Sequence, residues 1–357
     1  MLEQEIRALQ LAQKLIGDGR LEREEYETLI RCHTKETDEL LSARAREIRE
    51  QIYGKKVYIR GLIEFSNICD NDCYYCGIRK SNEKVCRYHM SKKEILSCVD
   101  MGYELGFRTF VLQGGERKAN SDAWICDTVR EIKAHHPDCA VTLSVGERSF
   151  ESYEAFYRAG AERFLLRHET ADEAHYRKLH PEDMSLQNRM RCLWDLKRIG
   201  YQTGSGFMVG SPWQTPATLA EDLLFLEELQ PEMVGIGPFI HHADTPFGTF
   251  PDGTLEDTLF FISVLRILLP KALLPATTAL GTIQPNGREL GILAGANVVM
   301  PNLSPASARG NYMLYQNKLN TGAEGAEGLD TLKKRMAQLG YEITVSRGDA
   351  PNFERRG

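Results

Sequence analysis

Apolar residues recur at helical spacing along the first fifty positions. Further on they gather into short runs separated by longer helical patterns. Leu2, Ile6, Leu9, Ala12 and Ile16 share one helical face, and Leu21 to Leu29 and Leu40 to Ile48 repeat the period. Gly17, Asp18 and Gly19 mark the first break, so residues 1–52 predict an N-terminal helical layer. From 57 onward the runs read as strands: 57–65, 110–113, 141–145, 163–167, 204–209, 233–236, 274–278 and 297–300. Helical patterns fall between them, the first opened by Ser91 with Glu94 three residues on, a capping box. Strict alternation of strand and helix implies a parallel sheet with right-handed crossovers. Eight such units predict an α/β fold, a complete (βα)8 TIM barrel with an N-terminal helical extension. The core is expected over 53–318. Residues 319–357 are expected to supply a C-terminal helix and a tail closing the barrel. Gly322 to Gly328 reads as a surface linker, and the last dozen residues as peripheral.

Polar signals cluster where these strands end. The first strand runs into Cys69-Asp70-Asn71-Asp72-Cys73-Tyr74-Tyr75-Cys76 and the second into Gln113-Gly114-Gly115-Glu116. The third ends at Ser144 to Glu147, the fourth at Arg167-His168-Glu169-Thr170, the seventh at Thr277-Thr278 and the eighth at Met300-Pro301-Asn302. In a parallel barrel the active site lies at the carboxyl ends of the strands, so these groups are expected to converge.

Composition narrows the chemistry. The chain has 357 residues, a formal charge of −6 and no basic run longer than Lys333-Lys334-Arg335, which argues against nucleic acid as a partner. No apolar stretch reaches membrane-spanning length, because 259–274 is interrupted by Arg266 and Pro270. The amphipathic, acidic start is unlike a targeting peptide, so a reducing cytoplasmic setting is expected, in which thiols stay free for metal.

The C-x3-C-x2-C run then carries the most information. Structural zinc asks for four ligands in paired hooks, and the next cysteine, Cys86, stands alone ten residues on. Nine cysteines, an odd number, make a poor disulfide framework. Three thiolates on one loop can instead hold three irons of a 4Fe-4S cubane, leaving the fourth iron open. Cys69, Cys73 and Cys76 are therefore the candidate metal ligands and catalytic centre. An open iron on a reduced cluster suits S-adenosylmethionine, which binds through an amine and a carboxylate and carries a reducible sulfonium.

The cysteine run with its aromatic Tyr75, followed by Gly114-Gly115-Glu116 on the next strand, resembles the radical S-adenosylmethionine superfamily. Further blocks resemble the HydE family of FeFe-hydrogenase maturases: Glu64 to Asn67, Cys76 to Arg79, Val111 to Glu116, Leu166 to Thr170, Met233 to Phe239, Pro275 to Thr278, Gly287 to Glu289 and Gly295 to Asn302. The resemblance spans about 50–318. It implies cleavage of S-adenosylmethionine and a small sulfur-containing or iron–cysteine substrate, processed toward the hydrogenase di-iron centre. Tyr75, Gln113, Gly114, Gly115, Glu116, Arg167, Glu169, Arg189 and Met233 are implied on the cofactor side. Arg60, Thr277, Thr278, Met300, Tyr312 and Tyr315 are implied on the substrate side. A low-potential ferredoxin or flavodoxin and other maturation proteins are the implied partners. Some members carry a second cluster near the C-terminus. This chain has no cysteine after Cys192, so one cluster is expected.

The other polar and apolar candidates have plainer readings. Cys32, Cys98, Cys126, Cys139 and Cys192 read as packing residues, as do Trp194 and Trp213. His241-His242 reads as a loop pair capping the barrel. By strand alternation His168 points away from Arg167 and Glu169. The rival functions are a methylornithine synthase-like radical mutase, biotin synthase, and a non-enzymatic iron–sulfur carrier.

Overall fold

A computed structural model describes residues 2–117, 121–319 and 328–353. The expected linker and the extreme C-terminus fall largely outside these residues. Three helices open the chain: α1 (Leu2–Asp18), α2 (Arg23–Cys32) and α3 (Lys35–Tyr53). Ala8, Leu11, Ala12 and Leu15 are the buried stripe of α1. Thr34 caps α3 through the Thr37 N–H, and Gly54, at φ +61°, ends it by donating to the Glu50 carbonyl. The layer rests on outer helices, α2 against 216–229 and α3 against 255–268. Among the described residues no helix is long and apolar enough to cross a membrane.

Among the described residues the body holds eleven short strands: β1 (Lys56–Ile59), β2 (Gly61–Ser66), β3 (Thr109–Gly114), β4 (Ala140–Ser144), β5 (Ala161–Leu165), β6 (Gln202–Ser205), β7 (Met208–Val209), β8 (Met233–Val234), β9 (Gly237–Pro238), β10 (Val298–Val299) and β11 (Glu342–Thr344). A parallel six-stranded sheet runs β2-β3-β4-β5-β6-β8. Beside it lie the pair β7-β9 and the trio β10-β1-β11. Isolated parallel bridges join Met233 to Leu273, Pro275 to Val298, and Leu62 to Asn302. Helices between the strands cover the sheet, and their apolar faces form one large core with it.

Several expected strands differ in detail. The run 57–65 breaks at Arg60: β1 pairs with β10 and β11, while β2 pairs with β3. The run 204–209 breaks at Gly206, whose φ of +149° lets it pass the Gly235 carbonyl where a Cβ would collide. The run 274–278 makes only single bridges, because Pro275 has no N–H to donate and Thr277 and Thr278 begin the helix Thr278–Ile283. β11 is an addition that the pattern did not announce. The described part of the last dozen residues is not peripheral. Asp349 accepts from Arg163 at 2.8 Å and from Gln202 at 2.7 Å, and the Ala350 N–H donates to Gln202 at 3.0 Å. Burial alone would raise the Asp349 carboxyl, but Arg163 and Arg347 hold it well below the usual range.

Candidate functional site

All six residues of β2 are buried, and the strand delivers the chain into the cysteine loop at its carboxyl end. Side chains shape this loop. Asn67, fully buried, donates to the carbonyls of Cys86 (2.8 Å) and Asn311 (2.7 Å) and accepts from the Tyr88 N–H. Arg87 donates to the carbonyls of Asn67, Ile78 and Arg79. Arg79 grips Asp72 with two bonds of 2.7 and 2.5 Å. Cys69, Cys73 and Cys76 thereby line one cavity of about 370 Å³. Burial pushes all three thiols up, Cys76 to about 12, and neighbouring cysteines add to the effect at Cys73 and Cys76. Such a trio ionises readily only against a bound cation, which is what a metal centre supplies. Cys86 does not line this cavity. It faces a separate hollow of about 160 Å³ with Lys84, His242 and Asp244.

The turn after β3 locks onto the loop through its backbone. The Gly115 N–H donates to the Ser66 carbonyl (2.9 Å), and the Glu116 carbonyl accepts from the Asp70 N–H (2.7 Å). A Cβ on Gly115 would overlap the Ile68 carbonyl and stand 2.9 Å from Cys69 Cβ, so only glycine lets the two loops touch. Gly146, at φ +80°, makes room for the Glu116 side chain in the same way. Glu116 accepts from the Glu147 N–H at 3.0 Å, and burial raises its carboxyl. Arg189 forms a 2.9 Å ion pair with Glu147, so the carboxylate it meets here belongs to the protein itself. Burial opposes the Arg189 charge, but Glu147, Tyr176, Glu116 and Tyr75 together outweigh it and hold the guanidinium protonated.

Arg167 and Glu169 line the same cavity and pair with each other at 3.3 Å. His168 between them faces outward, fully buried. Glu169 adopts φ +67°, uncommon for a residue with a side chain. Tyr75 also faces the cavity, its hydroxyl 3.2 Å from His180 Nε2.

Arg60, Met233, Thr277, Thr278, Met300, Tyr312 and Tyr315 line the cavity as well. Arg60, 5 % exposed, donates to Met233 Sδ at 2.8 Å, while its Nε and Nη2 find no partner among the described residues. Met233, assigned above to the cofactor side, thus sits with Arg60, which precedes β2, whereas the cysteine loop follows it. The six residues between are roughly 20 Å of strand. Two charged cavity residues, Glu64 and Lys318, were not among the candidates read from the sequence. Glu64, named above only as the start of a block of resemblance, pairs with Lys318 at 2.6 Å and accepts from Asn302 at 2.8 Å. The Lys318 ammonium lies 5.3 Å from the centre of the Tyr312 ring, and the Tyr312 hydroxyl accepts from Gln113 Nε2 at 3.3 Å. His241 and His242 lie outside this cavity, His241 bonded to Asp252. Trp194 and Trp213 lie outside the cavity and are 40 % and 46 % exposed, so neither is a core residue, although Trp213 packs edge-on against Phe247 and Phe250. Cys98, Cys126, Cys139 and Cys192 are buried.

Residues 63–226 match the Radical SAM superfamily. The chain is 46% identical over 297 residues to the FeFe hydrogenase maturase subunit HydE of Thermotoga maritima, an alignment covering 83% of this chain and 84% of that one. It is 29% identical over 302 residues to 3-methylornithine synthase of Methanosarcina barkeri, covering 83% and 84%. Among solved structures it superposes on methylornithine synthase (PylB) with TM-score 0.81 at 26% identity, covering 94% and 97% of the two chains. The FeFe-hydrogenase maturase HydG from Carboxydothermus hydrogenoformans shares the fold, with TM-score 0.80 at 19% identity and coverage of 94% and 78%.

Proposed function

The chain belongs to the HydE family of the radical S-adenosylmethionine superfamily, and on that premise we propose that Cys69, Cys73 and Cys76 hold one 4Fe-4S cluster with S-adenosylmethionine on its open iron. It is a radical S-adenosylmethionine enzyme acting in assembly of the hydrogenase H-cluster. The observation that carries the site assignment is the meeting of three half-buried thiols, the Gly-Gly-Glu turn and the Arg167–Glu169 pair in one cavity. When bound, the cluster supplies the low-potential electron that cleaves the sulfonium.

The residues present fit that pair of groups. Burial outweighs what Arg189 and Arg87 offer the Cys73 and Cys76 thiols, and Arg167 Nε is buried with no hydrogen-bond partner among the described residues. The glycines at 114 and 115 let backbone approach the methionyl end, and Glu116 offers its ammonium a carboxylate. Glu169 is positioned to accept from ribose hydroxyls, and Arg167 to hold a carboxylate. Arg189 pairs with Glu147 and acts through charge on Glu116 beside them. Tyr75 packs by the adenine.

The substrate is a small sulfur-containing or iron–cysteine molecule, received at the other end by Arg60, Thr277, Thr278, Met300, Tyr312 and Tyr315. The free guanidinium nitrogens of Arg60 support an anionic group there. The isolated bridges at Leu273, Pro275 and Asn302 connect the outer strands of the six-stranded sheet and support closure into a complete (βα)8 barrel. The chain divides into the helical layer 1–52, the core 53–318 and the C-terminal segment 319–357. It works in the cytoplasm, reduced by a ferredoxin or flavodoxin beside other maturation proteins.

Anaerobic reconstitution tests this reading. Iron and sulfide should each reach about four per monomer, and values near eight would mean a second cluster. Reduced protein should convert S-adenosylmethionine to 5′-deoxyadenosine or an adenosylated product; failure would favour a cluster carrier. Deleting the protein from its host should abolish hydrogenase activation, and intact activation would favour the methylornithine synthase-like reading.

A further inference from the structure

The turn that presents Arg167 and Glu169 is irregular, and a buried polar group stands behind it. Leu165 pairs with Gly204, yet Glu169 pairs with Phe207, so four steps on one strand match three on the next. The extra residue is a bulge at the strand end, the kind of irregularity that re-aims side chains. It carries Glu169 into the left-handed region at φ +67°, where a residue with a Cβ stays only if its surroundings hold it.

Those surroundings are specific. Asp222 lies on the helix Pro216–Leu229, fully buried, and does not line the cavity. One oxygen, Oδ1, accepts from the Ala171 N–H at 2.6 Å and meets His168 Nε2 at 3.2 Å. The other edge of the imidazole meets Ser205 Oγ at 2.9 Å. A single carboxyl therefore ties together the residues on either side of Glu169 and Thr170. The Glu169 N–H donates to the Gly206 carbonyl at 3.1 Å, completing the anchorage.

We propose that Asp222 and His168 are positioning residues for S-adenosylmethionine, holding the bulged turn so that Arg167 and Glu169 both face the cavity. The inference rests on the assignment of those two side chains to the cofactor. Without the clamp the left-handed turn relaxes and the Glu169 carboxylate swings off the ligand.

The test uses the anaerobically reconstituted holoprotein and reads the equilibrium dissociation constant for S-adenosylmethionine. Asp222→Ala should raise it about tenfold or more, since loss of one hydrogen bond to a charged group costs roughly ten- to a hundredfold in an equilibrium constant. Iron content and the spectrum of the reduced cluster without ligand should not change. Asp222→Asn keeps an oxygen for the Ala171 N–H and should bind within about threefold of wild type, a rescue that a merely buried charge would not show. Glu169→Gln should weaken binding on its own. Adding Asp222→Ala to it should cost little more, because the two act through one contact. Should Asp222→Ala fail to fold, His168→Phe fills similar volume without hydrogen bonds and should weaken binding about threefold or more. Wild-type affinity in Asp222→Ala or His168→Phe, with Glu169→Gln impaired, overturns the clamp alone. Wild-type affinity in Glu169→Gln removes the Glu169 assignment and the clamp with it.

Discussion

Replacing Lys318 by methionine tests whether the end of the core segment is bound to the cavity wall by charge. Lys318 and Glu64 meet at 2.6 Å with side chains 6 % and 1 % exposed. With charge centres about 3.5 Å apart and an effective dielectric near 20, the attraction is about 5 kcal/mol, largely offset by desolvation of both ions. Lys318→Met removes the attraction and leaves the Glu64 carboxylate buried with Asn302 as its remaining side-chain donor. A loss of about 3–5 kcal/mol is expected. Glu64→Gln combined with Lys318→Met abolishes both charges and keeps an acceptor for Asn302. The double variant should lie within about 1–2 kcal/mol of wild type. Urea midpoints of the reduced, cluster-free protein measure this cycle. Limited trypsin digestion supplies a local readout, since Arg309 is buried and should become a cleavage site in Lys318→Met. A wild-type midpoint with Arg309 protected, or single losses that simply add in the double variant, would refute the reasoning.

The two glycines of the turn after β3 should behave differently. Gly115→Ala drives a methyl into the Ile68 backbone and should abolish cluster assembly, whereas Gly114→Ala meets the Phe65 ring at 2.8 Å, which can tilt away. If both variants reconstitute to about four iron per monomer, the close approach is not needed. His33, between Asp38 and Asp257, links the N-terminal layer to the helix Leu255–Leu268. Burial would lower its pKa, but bonds to Asp257 and Asp38 raise it to about 9. A raised folded value means the stabilisation is complete below the unfolded value near 6.5 and is lost as pH rises through about 9. The melting temperature of wild type should fall toward that of His33→Gln between those values, a change worth about 1–2 kcal/mol once solvent screening at the exposed Asp257 is allowed for. A gap independent of pH would contradict it.

Every residue singled out for the site lines one cavity, and the reason lies in how strands end. A parallel strand leaves its last residues at one face of the sheet, so polar tokens after successive apolar runs, as at Cys69, Gln113 and Arg167, converge without knowledge of tertiary contacts. The breaks at Arg60 and Gly206 were hidden because apolar character continues across them, and periodicity cannot register a change of partner. The contact of Met233 with Arg60 was illegible for a related reason: a residue that begins its strand lies at the opposite level from one that ends it, and the motif alone does not say which. The Glu64–Lys318 pair spans 254 positions, and Asp222 reaches the turn from a helix some fifty residues away. Local pattern reports burial face and capping, which depend on neighbours a few positions apart. A lysine in an irregular segment and an aspartate on a helix read as solvated unless the fold supplies the other charge or the N–H. What remained illegible is therefore concentrated among buried polar groups, whose desolvation is offset by distant partners and whose loss should be felt most at the cavity.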